Sequence, residues 1–156
     1  THVEALDAYY DAMDANLLHC TIWNYTADNT NARGDQWNDE DLSIFSRDQQ
    51  TEPWRENVHA GGRALDAVVR PYARATAGEP LSMHFDLDKR SFEFEFRHDP
   101  AVKAPTEIFV PAYHYPNGCE IALSDGTYKM DWDANILTVH HTLERETHTI
   151  RIRPRH

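Results

Sequence analysis

Hydrophobic and polar positions follow two regimes along the chain, and the change comes near residue 80. Before it the period is helical. Val3, Leu6, Tyr10, Met13 and Leu17 recur at three- and four-residue steps with acidic residues on the other face, which predicts an amphipathic helix over 2–16. Asn16 is placed to break it. Leu17-Leu18-His19-Cys20-Thr21-Ile22-Trp23 is a short apolar run, which predicts a strand buried on both faces. Helix then buried strand is half of an α/β repeat. From Asn24 to about Asn57 periodicity lapses. A loop of that length in a compact protein is usually functional or disordered, and Trp37, Phe45 and Trp54 predict anchors that order it. Leu42-Ser43-Ile44-Phe45 reads as a short turn or strand. Gly61-Gly62 precedes Arg63–Val69, whose apolar positions fit a second helix. Pro71 should end it near Arg70, because proline disfavours helix in the residue before it.

After Gly78-Glu79-Pro80 the period becomes two. Leu81–Leu87 is a candidate strand. Phe92, Phe94 and Phe96 alternate with Glu93, Glu95 and Arg97, the signature of a half-buried strand. Thr106–Val110, Cys119–Leu123, Thr127–Trp132, Ile136–His140 and Thr147–Arg153 continue the series, with turn chemistry at Asp125-Gly126 and Asp133-Ala134-Asn135. Seven short strands predict an antiparallel β-sandwich. The chain therefore divides into an α/β part, 1–79, and an all-β part, 80–156. One α/β strand makes no sheet, so the first part needs partners from outside this sequence. The chain also opens inside a helix pattern without a Met, which suggests that the natural N-terminus lies upstream.

Composition narrows the function classes. A 40% hydrophobic content can supply a core. The net charge of −11 argues against nucleic acid, whose phosphates need clustered Lys and Arg, and against anionic membrane surfaces. A neutral or cationic substrate fits. No apolar run approaches the roughly 18–20 residues of a transmembrane segment, and no signal-peptide pattern is visible. Cys20 and Cys119 are too few and too far apart for a disulfide framework. Cys20, in its apolar run, reads as a buried free thiol, which points to a reducing, intracellular compartment.

Several motifs in order carry a resemblance. Trp23-Asn24-Tyr25-Thr26, Asp28-Asn29-Thr30, Gly34-Asp35-Gln36-Trp37-Asn38 and Glu40-Asp41-Leu42-Ser43-Ile44 resemble the last strand and following loop of glycoside hydrolase family 5. The most similar branch is the fungal one related to endoglycoceramidase, of glucosylceramidase and steryl β-glucosidase type. Gly61-Gly62-Arg63-Ala64 and Arg70-Pro71-Tyr72-Ala73 look like that branch's final barrel helix. Ala104-Pro105-Thr106-Glu107-Ile108-Phe109-Val110-Pro111 and His114-Tyr115-Pro116 look like its C-terminal sandwich. The resemblance implies the last β/α unit of a (β/α)8 TIM barrel: helix 7, strand 8, loop 8 and helix 8 in 1–79, then the sandwich. A barrel takes roughly 200–250 residues, so most of it would come from a separate polypeptide or from chain outside this sequence. The family's two catalytic glutamates lie upstream of Thr1, so no catalytic residue is assigned and this chain alone should be inactive. The implied substrate is a glucoside with a hydrophobic aglycone, glucosylceramide or a steryl glucoside. No cofactor is implied.

Candidate residues carry two readings each. Strand C-termini of a barrel face the active site, and an indole can stack on a pyranose face. In the resembling family a tryptophan at this strand end does so, which makes Trp23 the leading substrate-binding candidate; the alternative is a core tryptophan. Asn24, Asn29, Asp35, Trp37 and Asn38 offer donors and acceptors for sugar hydroxyls, or brace their own loop through Asx-turns. Asn24-Tyr25-Thr26 is also a glycosylation sequon, expected to be unused at a barrel strand end. Glu93 and Glu95 share a face at a spacing that would permit a carboxyl pair, but they read as a solvated face, because nothing nearby would raise one pKa or form a sugar pocket. Asp39-Glu40-Asp41 reads as a loop charge run, with helix capping as its role. His140 and His141 point to opposite faces of a strand, and neither they nor His148 meet a Cys or carboxylate at familiar spacing; they read as structural or surface histidines, with no metal assigned. Ser124-Asp125-Gly126 lacks a nucleophile elbow and is a turn. A non-catalytic carbohydrate- or lipid-binding sandwich with 1–79 as an appendage stays open, and so does a purely structural subunit.

Overall fold

The computed structural model describes residues 1–155. Helix α1, His2–Ala15, closes on Asn16, whose backbone N–H bonds to Met13 and Asp14 carbonyls. Asn16 thus breaks the helix where its side chain predicts. The second helix is much shorter than its apolar face suggests. α2 is the single turn Leu65–Val68, because Ala64 enters it from the left-handed region at φ 51° and Val69 leaves helical geometry ahead of Pro71. The long loop carries only a 3-10 turn at Arg47–Gln49 and two isolated bridges, Thr30 to Gly34 and Phe45 to Gly62.

The apolar run 17–23 forms no strand. Leu18 is 60% exposed, and Cys20 and Ile22 are exposed as well. The expected buried strand and buried thiol are both corrected. A strand is buried only when neighbours pair with its edges and layers cover its faces, and none of the strands among the described residues pairs with this segment.

Eight strands build the rest of the described residues: β1 Tyr72–Ala75, β2 Gly78–Asp86, β3 Ser91–His98, β4 Thr106–Phe109, β5 Cys119–Leu123, β6 Thr127–Asp131, β7 Ile136–His140 and β8 Thr147–Pro154. They form two antiparallel four-stranded sheets in the orders β1-β4-β7-β6 and β2-β3-β8-β5. The antiparallel sandwich expected from the alternating half is present, with one strand more than expected. β1 follows α2 directly and pairs with β4, Tyr72 opposite Phe109. Its four residues are too few and too mixed to register as alternation, so its partner defines it.

Alternation decides the core. Phe92, Phe94 and Phe96 on β3 face Ile152, Ile150 and His148 on β8, and all six are buried. Between the sheets they meet Phe85, Ile108, Val110, Leu137 and Val139, with Tyr115 closing the end and its hydroxyl donating to the Arg90 carbonyl at 3.0 Å. The outward residues of β3 pair instead with solvent-side partners. Glu93 accepts from Arg151 at 2.6 Å, directly across the strand pair, a half-exposed ion pair of small energetic weight.

α1 is fastened to the sandwich by one side chain. Arg70, 5% exposed, donates to Asp7, Asp11 and Asp14 at 3.1, 3.0 and 3.0 Å. Its guanidinium lies over the rings of Tyr10 and Phe85. The three aspartates recur at steps of four and three, so one helix face presents them together. Burial raises the Asp14 pKa more than the neighbouring arginine lowers it.

Arg70→Met should therefore leave the buried Asp14, and the partly exposed Asp7 and Asp11 beside it, without their cation. Loss of about 3–5 kcal/mol is expected, read by urea unfolding, with the α1 amides exchanging faster than the sheet amides. Phe94→Ala should cost a similar amount, about 3–5 kcal/mol, by opening a cavity between the sheets; an unchanged urea midpoint would mean the core collapses around it.

Candidate functional site

The loop from Asn24 to Asn57 is held by polar contacts, and two of its three expected aromatic anchors do not anchor it. Trp37 and Trp54 are 60% and 62% exposed; only Phe45 packs, against Tyr25 at 5.7 Å between centroids. Hydrogen bonds between distant loop residues take over. The Asn24 backbone carbonyl accepts from Ile44 N at 2.9 Å, and its side-chain amide donates to Asp35 Oδ2 at 2.9 Å. Ser43 Oγ accepts from the Thr26 and Phe45 amides. Asp35 takes the Leu42 amide on Oδ2, and its own N–H bonds to the Glu40 carbonyl at 3.0 Å. Gly34 allows this crossing: at φ 57° it lies so near Glu40 that a Cβ would sit 2.1 Å from the carbonyl oxygen.

A second brace joins the loop to the approach to α2. Arg63 grips Asp41 with two bonds at 2.6 and 2.7 Å, and Asn29 Nδ2 adds a third at 2.8 Å. The Arg63 hydrogen bond, then that of Asn29, pulls the Asp41 pKa down to about 2. Asp41 is thus an ion-pair partner; the helix-capping role expected for the 39–41 run does not describe it, because no helix starts there. Arg63 carries no local signal of this role in the sequence, because only the fold brings Asp41 to it.

The six candidate residues fall into two groups. Trp23 is 66% exposed, which removes the core alternative within this chain, and its peptide bond to Asn24 is cis. Trp37 and Asn38 are also exposed, at a loop tip where Gln36, Asn38 and Asp39 all take positive φ. Asn24, Asn29 and Asp35 turn inward. Asn29 is fully buried, yet its Oδ1 has no hydrogen-bond partner. The Asn24 amide of the sequon is occupied by Asp35. The arrangement is a braced polar loop from which indoles project: it can present a flat apolar face beside fixed amide and carboxylate groups, the combination that suits a sugar ring.

The histidines separate as strand alternation requires. His140 is exposed at the end of β7, while His141 turns inward. There His141 and His148 meet His98, three residues from separate segments, which no local spacing singles out.

The chain resembles known glycoside hydrolases along most of its length. It is 39% identical over 127 residues to a glucosylceramidase of Rhizopus delemar, covering 74% of this chain and 19% of that protein. It is 40% identical over 95 residues to endoglycoceramidase I of Rhodococcus hoagii, covering 61% of this chain and 18% of that protein. It superposes on a crystal structure of Cryptococcus neoformans sterylglucosidase 1 with a TM-score of 0.86 and 30% identity, over 97% of this chain and 24% of that one. The chain spans less than a fifth of the length of these two curated relatives. Residues 70–152 match the glycoside hydrolase family 5 C-terminal domain, and with over half of its length in that match the chain belongs to glycoside hydrolase family 5.

Proposed function

We propose that this chain is the C-terminal part of a retaining β-glycosidase that hydrolyses glucosides with hydrophobic aglycones, glucosylceramide or a steryl glucoside. The observation that carries the reading is Trp23, an indole left two-thirds exposed at the mouth of a loop braced by its own side chains, in a chain similar over 97% of its length to a sterylglucosidase. Residues 1–69 are the end of a (β/α)8 barrel, and the sandwich begins at β1, earlier than the change of period near residue 80, because β1 pairs with β4 in one of its sheets. On this reading the exposed face of Leu18, Cys20 and Ile22 is a barrel strand whose neighbours belong to sequence outside this chain. The free-standing binding module has less support, because the similarity runs through 1–69 as well as the sandwich.

The chemistry divides accordingly. Two glutamates outside this chain do the bond breaking: one attacks the anomeric carbon, and the other protonates the leaving oxygen and later activates water. This chain holds the sugar. The Trp23 indole stacks on the ring. Trp37 and Asn38 reach the ligand from the loop tip, Asn24 and Asp35 set the polar wall, and Asn29 positions the wall through Asp41. A neutral glycolipid suits a chain of net charge −11.

The test uses the full-length protein with glucosylceramide and ergosteryl glucoside as substrates. Hydrolysis of at least one is expected; failure on both sinks the assignment. Trp23→Ala should lower kcat/KM by roughly 10–100-fold, the equivalent of about 1.4–2.8 kcal/mol of lost ring contact. An unchanged kcat/KM would remove Trp23 from the site. Asp41→Asn should loosen the wall without touching substrate, raising KM several-fold and leaving secondary structure by circular dichroism unchanged.

A further inference from the structure

We propose that His98, His141 and His148 form a binding site for a divalent transition-metal cation of the Zn2+ class, at one end of the sandwich and independent of the glycosidase reading. The cluster is assembled entirely by tertiary structure. His98 ends β3, His148 faces inward on β8, and His141 follows the last residue of β7. One ring nitrogen from each lies within 4.8 Å of the other two. The closest pair, His98 Nδ1 and His148 Nε2, is 3.0 Å apart. Nitrogens bound tetrahedrally at the Zn–N length of 2.0–2.1 Å sit about 3.3 Å apart, so this pair is already near ligand spacing, and a His141 nitrogen lies within 4.8 Å of both.

Two further observations distinguish the cluster from a chance gathering of imidazoles. The first is the carboxylate behind it. Asp125, from the turn between β5 and β6, lies 2.7 Å from His148 Nδ1. An N–H there donating to the carboxylate leaves the His148 Nε2 lone pair directed at the cluster. Asp125 is fixed in turn by the Thr142 amide and hydroxyl at 2.8 and 2.7 Å. Carboxylate, then imidazole, then metal is how protein zinc ligands are commonly oriented. The second is that His141 Nδ1 is buried without any hydrogen-bond partner. A buried polar nitrogen left unpaired is costly, and a cation would ligate it together with His98 Nδ1 and His148 Nε2, replacing the hydrogen bond those two share at 3.0 Å. His148 is 2% exposed, and the Phe96 ring meets His141 edge-on and His148 at a tilt, so the site is partly dry. A set of three imidazole nitrogens suits Zn2+ and its neighbours and disfavours Mg2+ and Ca2+, which take oxygen ligands. The ion would tie the end of β3 and the β7–β8 connection to β8, a structural role.

The experiment takes the full-length protein, strips it with EDTA, and titrates it with ZnCl2 by calorimetry, with zinc content checked by mass spectrometry after dialysis. One Zn2+ per chain is expected at this site, absent in His141→Ala, together with a melting temperature that Zn2+ raises in the wild type and not in the variant. His141→Ala removes no hydrogen bond to Nδ1, and its circular dichroism should match the wild type. Asp125→Asn should weaken zinc binding roughly 10–100-fold, and MgCl2 should give no binding. Failure to retain zinc, or zinc retained equally by His141→Ala, overturns the site and leaves a hydrogen-bonded histidine chain. Neither result touches glycoside hydrolysis, which is assayed separately.

Discussion

The seating of α1 against the sandwich depends on one buried guanidinium. Arg70 leaves α2 just before β1 and meets three aspartates of α1 while lying against Phe85 of the sandwich. A charge removed from water is tolerated only where opposite charges and hydrogen bonds replace the solvent. Here the cation has three carboxylates, more than it needs, and burial favours the neutral form of Asp14. The helix is thus located by charge and hydrogen bonding where an apolar seam would ordinarily do it. Its apolar residues, Leu6 and Met13 among them, keep part of their surface.

The same economy governs the loop that carries the candidate site. It has almost no regular structure, yet its backbone is pinned at several points by side chains that come from far along the sequence: Ser43 on the Thr26 amide, Asp48 on the Asn31 amide, Arg63 on the Ser43 carbonyl. Because polar groups do the holding, the large aromatics are left at the surface. Trp23 and Trp37 stay exposed for that reason, whereas in an apolar-anchored loop they would have been consumed by packing.

Sheet registers made much of the sandwich legible. The Phe92, Phe94, Phe96 alternation needs one covered face, and that face is the core. Cys119–Leu123 and Ile136–His140 fall where their alternation placed them. Other features were invisible for identifiable reasons. β1 is four residues long and is a strand only because β4 lies beside it. The Arg63–Asp41 and Arg70–aspartate pairs join residues too distant for any local spacing to suggest. His98, His141 and His148 are 43 and 7 residues apart along the chain, and nothing in those intervals matches a ligand motif.

The sequence by itself determined which segments alternate, where α1 stops, that the second half is an antiparallel sandwich, and through its ordered motifs which family the chain resembles. These are local properties, fixed by period, by turn chemistry and by proline. Tertiary structure decided the rest: the apolar run 17–23 is uncovered, Asn29 and Asp35 are turned inward while Trp23 faces out, and three histidines share one corner. Burial and pairing depend on what lies opposite a residue, and strand and loop crossings bring together positions whose separation along the chain holds no record of the encounter.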